Sequence, residues 1–232
     1  MKTPKSLYHR RRFPPDIIQH AVWLYHRFSL SFRDVEDLLA ERGVMVSYET
    51  VRRWCTTFGP RYATRLRRRY GRHGDTWYVD EVFVHIRGEQ HYLYRAIDQD
   101  SDVIDILVQK RRDTKAAVRF FRKLLKGQGG GPRRLVTDKL KSYPAARRKV
   151  MPDVVHVTDQ YANNRVEVSH ESTRQRERYM RRFKSLSQAQ RFLSVHGMVQ
   201  NLFRLGRHLL RARSYRLFRM RAFARWQQAT CV

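Results

Sequence analysis

The first seventy residues carry apolar positions at helical spacing, in three short blocks. Pro14-Pro15-Asp16 supplies start signals, and Ile17, Ile18, Ala21, Val22, Leu24 and Tyr25 give a first helix a broad apolar face to about Arg27. Ser31 is placed to cap a second helix, with Phe32, Val35, Leu38 and Leu39 on one side and a stop near Gly43. Ser47 is placed to cap a third. Val51, Trp54, Cys55 and Phe58 stand at i, i+3, i+4 and i+7 and define its buried side. That leaves Tyr48, Glu49, Thr50, Arg52, Arg53 and Thr56 towards solvent, and Gly59-Pro60 is read as the end of the helix.

From Thr76 the pattern changes to strands. Trp77 to Ile86 is β-branched and aromatic, Arg87-Gly88-Glu89 reads as a hairpin turn, and His91 to Ile97 follows as a second strand. Asp98 to Ser101 is a turn before a third strand, Val103 to Val108. Asp113 or Thr114 caps a helix through Leu125, with Ala117, Phe120, Phe121, Leu124 and Leu125 on its buried side. Arg134 to Asp138 and Val154 to Val157 are the fourth and fifth strands. Two further helices close the chain, one carrying Phe192 to Phe203, the other Leu209 to Trp226 with an arginine-bearing outer face. The expectation is an α/β fold, a mixed sheet flanked by helices, preceded by a small all-α domain. The boundaries read as a basic arm at 1–13, a helical domain at 14–60, a basic linker at 61–74 and a sheet domain with C-terminal helices at 75–232.

Composition changes this picture. With 232 residues, 41% of them hydrophobic, the chain can bury a core; with a formal charge of +28 it repels itself unless a polyanion neutralises it. Nucleic acid is the expected partner. No apolar run is long enough to span a bilayer, the N-terminus lacks the apolar core of a signal peptide, and no membrane partner is expected. Cys55 and Cys231 form no CxxC, so no zinc site is expected, and a reducing cytoplasm fits. Three short helices with a tight turn before the third describe a helix-turn-helix unit. Spacing alone would equally allow a small bundle with a solvated basic face; the charge of the whole chain favours DNA. On that reading Tyr48, Thr50, Arg52 and Arg53 contact DNA. The glycine-rich loop at 127–132 lacks the Lys-Ser/Thr ending of a phosphate loop.

The candidate chemistry lies in acids that this basic chain retains. Asp80 and Glu81 sit inside an apolar strand, where a carboxylate costs desolvation energy unless it is exposed or holds a cation. Asp138 ends another strand. Two such carboxylates with a third from an adjacent helix would bind Mg²⁺-type ions and support phosphodiester transfer. In a regular strand Glu81 points away from Asp80, so Asp80 is the better candidate. Asp98, Asp100, Asp102 and Asp105 read as turn and edge acids. The third acid is open between Glu167 and Glu171: Asn164-x-x-Glu167 also has the spacing of a capping pair. Lys139 would contact phosphate or stay solvated. His170 would orient DNA or water or be an ordinary polar helix residue. Arg174, Arg178, Arg181 and Arg182 extend a basic face that would neutralise DNA.

These motifs occur in an order that resembles the DDE transposases of bacterial insertion sequences, most closely the IS6 family. The resemblance runs through Ser31-Phe32-Arg33-Asp34 and Arg53-Trp54, Trp77-x-x-Asp80-Glu81, Tyr92-Leu93-Tyr94-Arg95-Ala96-Ile97-Asp98, Thr137-Asp138-Lys139 with Tyr143, Asn163-Asn164-x-x-Glu167 with His170, and Phe183-Lys184-Ser185-Leu186. It implies an RNase H-like catalytic fold and an acidic triad of Asp80, Asp138 and Glu167, favouring Glu167 over Glu171. It also implies two Mg²⁺ ions, with Mn²⁺ as a substitute. The implied activity is binding of terminal inverted repeats, cleavage and strand transfer into target DNA, with a cointegrate product. The implied partners are DNA and further copies of the chain in a synaptic complex, on the bacterial nucleoid. The 28 residues between Asp138 and Glu167 are fewer than the family usually has. The shortage falls around Arg147–Pro152, which trims a surface connection or marks an inactive copy. The competing readings are an inactive relic or helix-turn-helix regulator, and a nuclease of the same fold that ignores inverted repeats.

Overall fold

The computed structural model describes residues 6–71, 73–158, 175, 183–205 and 210–231. Among these the chain forms two compact units, one from residues 1–70 with 195–232, the other from 71–194.

The helical unit begins with α1 (Pro15–Arg27), α2 (Phe32–Ala40) and α3 (Tyr48–Tyr70). α2 starts where its sequence asks it to. Ser31 accepts from the Asp34 N–H at 3.1 Å while the Asp34 carboxylate accepts from the Ser31 N–H at 2.7 Å, a complete capping box. Ser47 likewise accepts from the Thr50 N–H at 3.3 Å. α3 does not end at Gly59-Pro60, and helix occupies the first ten residues of the expected linker at 61–74. Pro60 removes one helical hydrogen bond, but the apolar stripe continues past it through Tyr62, Ala63 and Leu66, all buried. Each large apolar side chain buried there contributes roughly 2 kcal/mol, enough together to offset the proline. Gly59 is a packing residue: a Cβ there would stand 3.2 Å from His26 Nε2 and 3.4 Å from a Val195 methyl.

The expected basic arm at 1–13 is also partly docked. Tyr8 is buried, stacks on Phe58 with ring centroids 5.2 Å apart, shares a 2.5 Å hydrogen bond with the Tyr62 hydroxyl and donates to the Thr230 carbonyl at 2.7 Å. An aromatic ring with a satisfied hydroxyl outweighs the basic residues around it. The unit is completed by the second half of α6 (Leu186–Phe203) and by α7 (Ala212–Thr230). His196 Nδ1 donates to the His26 carbonyl at 2.9 Å, and Gln200 and Arg27 exchange two hydrogen bonds. Residues 195–232 therefore group with the N-terminal helices rather than with the sheet.

The second unit is a five-stranded sheet, order β3-β2-β1-β4-β5, built from β1 (Thr76–Ile86), β2 (Glu89–Asp98), β3 (Val103–Gln109), β4 (Arg134–Thr137) and β5 (Val155–Val157). β1, β2 and β3 form an antiparallel meander; β4 pairs parallel with β1, and β5 parallel with β4. The β1–β2 turn has both central residues, Arg87 and Gly88, at positive φ, the two-residue turn whose twist suits a hairpin. α4 (Thr114–Gln128) is capped by Asp113, which accepts from the Ala116 N–H at 2.8 Å, and stops at left-handed Gly129. The short α5 (Ser142–Val150), which no periodicity predicted, occupies much of the connection before β5. α4 and α5 cover one sheet face, where Phe120, Phe121 and Tyr143 pack on Trp77, Val79, Tyr94, Ala96 and Leu135. The β3 edge is partly covered: Gln190 of α6 accepts from the Val108 N–H and donates to the Ile106 carbonyl. Strand order, directions and the helix between β3 and β4 are those of an RNase H-like sheet.

Replacing Ser31 by Ala removes one half of the capping box and is expected to destabilise the chain by about 1 kcal/mol in urea denaturation, with the sheet unit's near-ultraviolet signal unchanged.

Candidate active site

β1 and β4 run parallel, and Val79 is the register partner of Thr137. One residue further on, Asp80 and Asp138 come side by side where β4 ends. Asp80 is half-buried in the middle of its strand; Asp138 follows the last paired residue, with its side chain 35% exposed. The Asp138 carboxylate accepts from the Leu140 N–H at 3.0 Å, which fixes its direction.

Glu81 joins them. Strand alternation sends it to the opposite face, beside Trp77 and Val79, as expected. Yet the pairing with β4 stops at Thr137, so beyond it Asp138 is not held to either face by a partner on β1. One oxygen from each of Asp80, Glu81 and Asp138 lies within 4.8 Å of the others. The Glu81 side chain is only 2% exposed. Tyr143 of α5 donates its hydroxyl to one Glu81 oxygen, and Arg112, in the link between β3 and α4, is ion-paired with the other. The same guanidinium is 3.6 Å from Asp138. Arg95, the register partner of Asp80 on β2, is buried as well.

The electrostatics follow from burial. Desolvation pushes the Glu81 carboxyl up to about 7; the Tyr143 hydroxyl and Arg112 pull it down, and the charges of Asp138 and Asp80 push it further up. Burial also raises Asp138, with Asp80 adding to it and the Leu140 N–H and Arg112 opposing. Three carboxylates this close, in a protein this basic, favour a bound cation. The oxygen donors and the solvent-facing side of Asp138 fit a hard divalent metal.

The other anticipated acids do structural work. Asp98 accepts from the Asp100 and Asp102 N–H groups and faces His73, and Asp105 holds Lys123 at 2.6 Å. Lys139 is exposed beside Asp138. In the helical unit Tyr48, Arg52 and Arg53 are exposed and Thr50 is half-buried at the start of α3. Arg52 makes two hydrogen bonds to Glu49, at 2.8 and 2.5 Å, and Arg33 lies over the Tyr48 ring. Glu167, His170, Glu171, Arg174, Arg178, Arg181 and Arg182 lie outside the described residues. Arg112 and Glu81 are the members of the cluster that sequence reasoning left out. Arg112 lies 31 positions from Glu81 in the chain, and only the fold brings the two together.

A sheet of this topology, with an aspartate in the middle of β1 beside one that directly follows β4, has the form of a DDE-type polynucleotidyl transferase domain. The family model for the DDE domain of IS240-type transposases matches residues 74–205. The chain is 34% identical over 206 residues to the transposase for insertion sequence-like element IS431mec of Staphylococcus aureus, covering 86% of this chain and 90% of that protein. It is 33% identical, with the same coverage, to the transposase for IS257 in transposon Tn4003, also from Staphylococcus aureus. Solved structures are alike at a lower level. They include the HTLV-2 integrase catalytic core domain in complex with magnesium (12% identity, TM-score 0.40, 58% of this chain and 89% of that one) and the catalytic core domain of BIV integrase (11%, 0.39, 56% and 83%). The chain belongs to the IS6 family of insertion-sequence DDE transposases.

Because the Glu81 carboxyl titrates higher in the folded chain than in the unfolded one, folded protein holds its proton longer. Stability from this group is present at pH 5 and lost as pH rises towards 8, by roughly 2 kcal/mol. In metal-free protein, Glu81→Gln is expected to flatten the fall in thermal midpoint between pH 5 and 8; a fall as steep as wild type would contradict it.

Proposed function

We propose that this transposase binds the terminal inverted repeats of its element through the helix-turn-helix of the first unit. It then cuts the DNA at those ends and joins the freed 3′-hydroxyls to target DNA. The observation that carries this reading is the register between β1 and β4, which brings Asp80 beside Asp138. Asp80, Asp138 and Glu167 are assigned as the acids that hold two divalent ions, Mg²⁺ with Mn²⁺ as a substitute. Bound there, such ions would supply Lewis acidity at the scissile phosphate and lower the pKa of an attacking water or hydroxyl.

The chain's own groups have simpler tasks. Asp80 and Asp138 present hard oxygens from rigid strands, so little reorganisation is needed at the moment of reaction. Arg112 offsets the charge of Glu81 and Asp138, and Tyr143 holds Glu81 in its buried position. Lys139, exposed beside Asp138, is suited to a phosphate of the substrate, and Arg174 and Arg178 are assigned the same role. Tyr48, Thr50, Arg52 and Arg53 are assigned to the element's ends; the Arg52–Glu49 pair would have to open for Arg52 to reach DNA. Two ends must be held together for joining, so a homo-oligomer is expected in the synaptic complex. The product is assigned as a cointegrate, formed in the bacterial cytoplasm on the nucleoid.

The test is cleavage and joining of a labelled element-end duplex with Mg²⁺ or Mn²⁺. Asp80→Asn, Asp138→Asn and Glu167→Gln are each expected to lower the rate at least about 1,000-fold, and Glu171→Gln to leave it within about threefold. Dependence on Glu171 in place of Glu167 would move the third ligand by one helical turn. Specific end binding without cleavage in the wild type would make the chain a binding relic. Cleavage without preference for the ends would make it a nuclease of the same fold.

A further inference from the structure

No acidic residue occurs after Glu177, while basic residues continue to Arg225. Within this stretch α7 holds five arginines and no carboxylate. Arg213, Arg216, Arg219, Arg221 and Arg225 are all exposed. They leave free for the core only the side carrying Ala222, Trp226, Ala229 and Thr230, which is buried. The helix is firmly seated by that side: Trp226 meets the Tyr62 ring edge-on at 5.5 Å, and the Thr230 carbonyl accepts from Tyr8.

A face that only needed solvation would interleave glutamates with arginines and gain from the opposite charges. This one does the reverse. Arg213 with Arg216, Arg216 with Arg219, and Arg221 with Arg225 stand at i,i+3 or i,i+4, where like charges repel and oppose the helix. Such a helix is stabilised when a polyanion covers it. Over the twelve steps from Arg213 to Arg225 the helix rises about 18 Å, a length that spans several phosphates of a duplex. The basic surface also continues beyond α7. Arg225 and Arg69 of α3 line one pocket of about 350 Å³ in the helical unit, and Arg65 donates to the Ala229 carbonyl. α3 is the helix whose N-terminal turns are assigned to the element's ends.

We propose that the arginine face of α7, continued by Arg69 at the C-terminal part of α3, is a second DNA-binding surface that grips duplex backbone without reading sequence. It rests on the assignment of DNA as substrate and adds to it. Affinity would come from α7 and end recognition from the start of α3. Phosphates are the chemistry that fits. Arginine guanidinium groups form paired hydrogen bonds with phosphate oxygens, and five exposed arginines spread along one helix suit a run of phosphates. Anionic lipid is the competing phosphate-bearing surface, because Leu217, Phe218 and Met220 are exposed among the arginines.

The experiment measures binding of the full chain to two duplexes of equal length, one ending in the inverted repeat and one scrambled, across a salt series. Wild type is compared with the fivefold Arg→Gln variant at 213, 216, 219, 221 and 225, with the matching fivefold Arg→Lys variant, and with Arg53→Ala. Circular dichroism checks the fold, and a double Arg213→Gln/Arg216→Gln variant replaces the fivefold one if that fails to fold. Each lost phosphate contact lowers the slope of log affinity against log salt by about 0.9. The expected result is a slope smaller by about 3 to 4.5 for the fivefold Gln variant, or up to about 1.8 for the double one, equal on both duplexes. The Lys variant should restore the slope. Arg53→Ala should instead reduce the preference for the end duplex. Binding to phosphatidylserine vesicles is measured in parallel, and an unchanged duplex slope in the Gln variants overturns the proposal, whether or not their vesicle binding falls. Wild-type protein that binds both duplexes equally and cuts neither would refute the function proposed above while leaving this surface standing. Wild-type protein that binds no duplex would remove both.

Discussion

Everything at the candidate centre depends on the parallel pairing of β1 with β4. It is a short contact, four residue pairs, and it stops one residue before the two aspartates. The pairing of the apolar residues, Trp77 with Leu135 and Tyr78 with Val136, holds two carboxylates closer than their charges would allow alone. The antiparallel meander on the other side of β1 gives that strand its rigidity, and α4 and α5 seal the face below it. The sheet therefore acts as a clamp whose stability is generated in the core and spent at the strand ends.

The clamp has a built-in counterweight. Glu81 would be an isolated buried charge if Tyr143 and Arg112 did not meet it, and both come from elements added after β3. Even so, burial leaves its proton held to about 7, so the charge of the cluster varies near neutral pH in metal-free protein. A divalent ion would oppose that protonation. Folding, proton release and metal binding are thereby linked at one place.

Much of the sheet was legible because its strands are long and strongly patterned; β1 and β2 differ from their expected bounds by one or two residues. Asp80 and Asp138 were legible because carboxylates interrupt apolar strands there. The remaining features are set by tertiary contact. α3 runs through Gly59-Pro60 because its buried stripe continues to Leu66, information that local propensity does not contain. Tyr8 is docked because its hydroxyl finds Tyr62 and Thr230, more than fifty and more than two hundred residues away. α5 is short, holds a proline and shows no periodic pattern, so only Tyr143 and Ala146 packing beneath the sheet explains it. Strand alternation puts Glu81 on the face opposite Asp80, yet where β4 ends the carboxylates of both come within 4.8 Å of Asp138.

The central claim is that strand pairing makes Asp80 and Asp138 two ligands of one metal centre. Mn²⁺ binding to the full chain without DNA, followed by calorimetry or electron paramagnetic resonance, tests it most directly. The account predicts saturable binding that Asp80→Asn and Asp138→Asn each weaken at least about tenfold, and that the double variant weakens by less than the product of the two. Equal Mn²⁺ affinity in wild type and both single variants would contradict it.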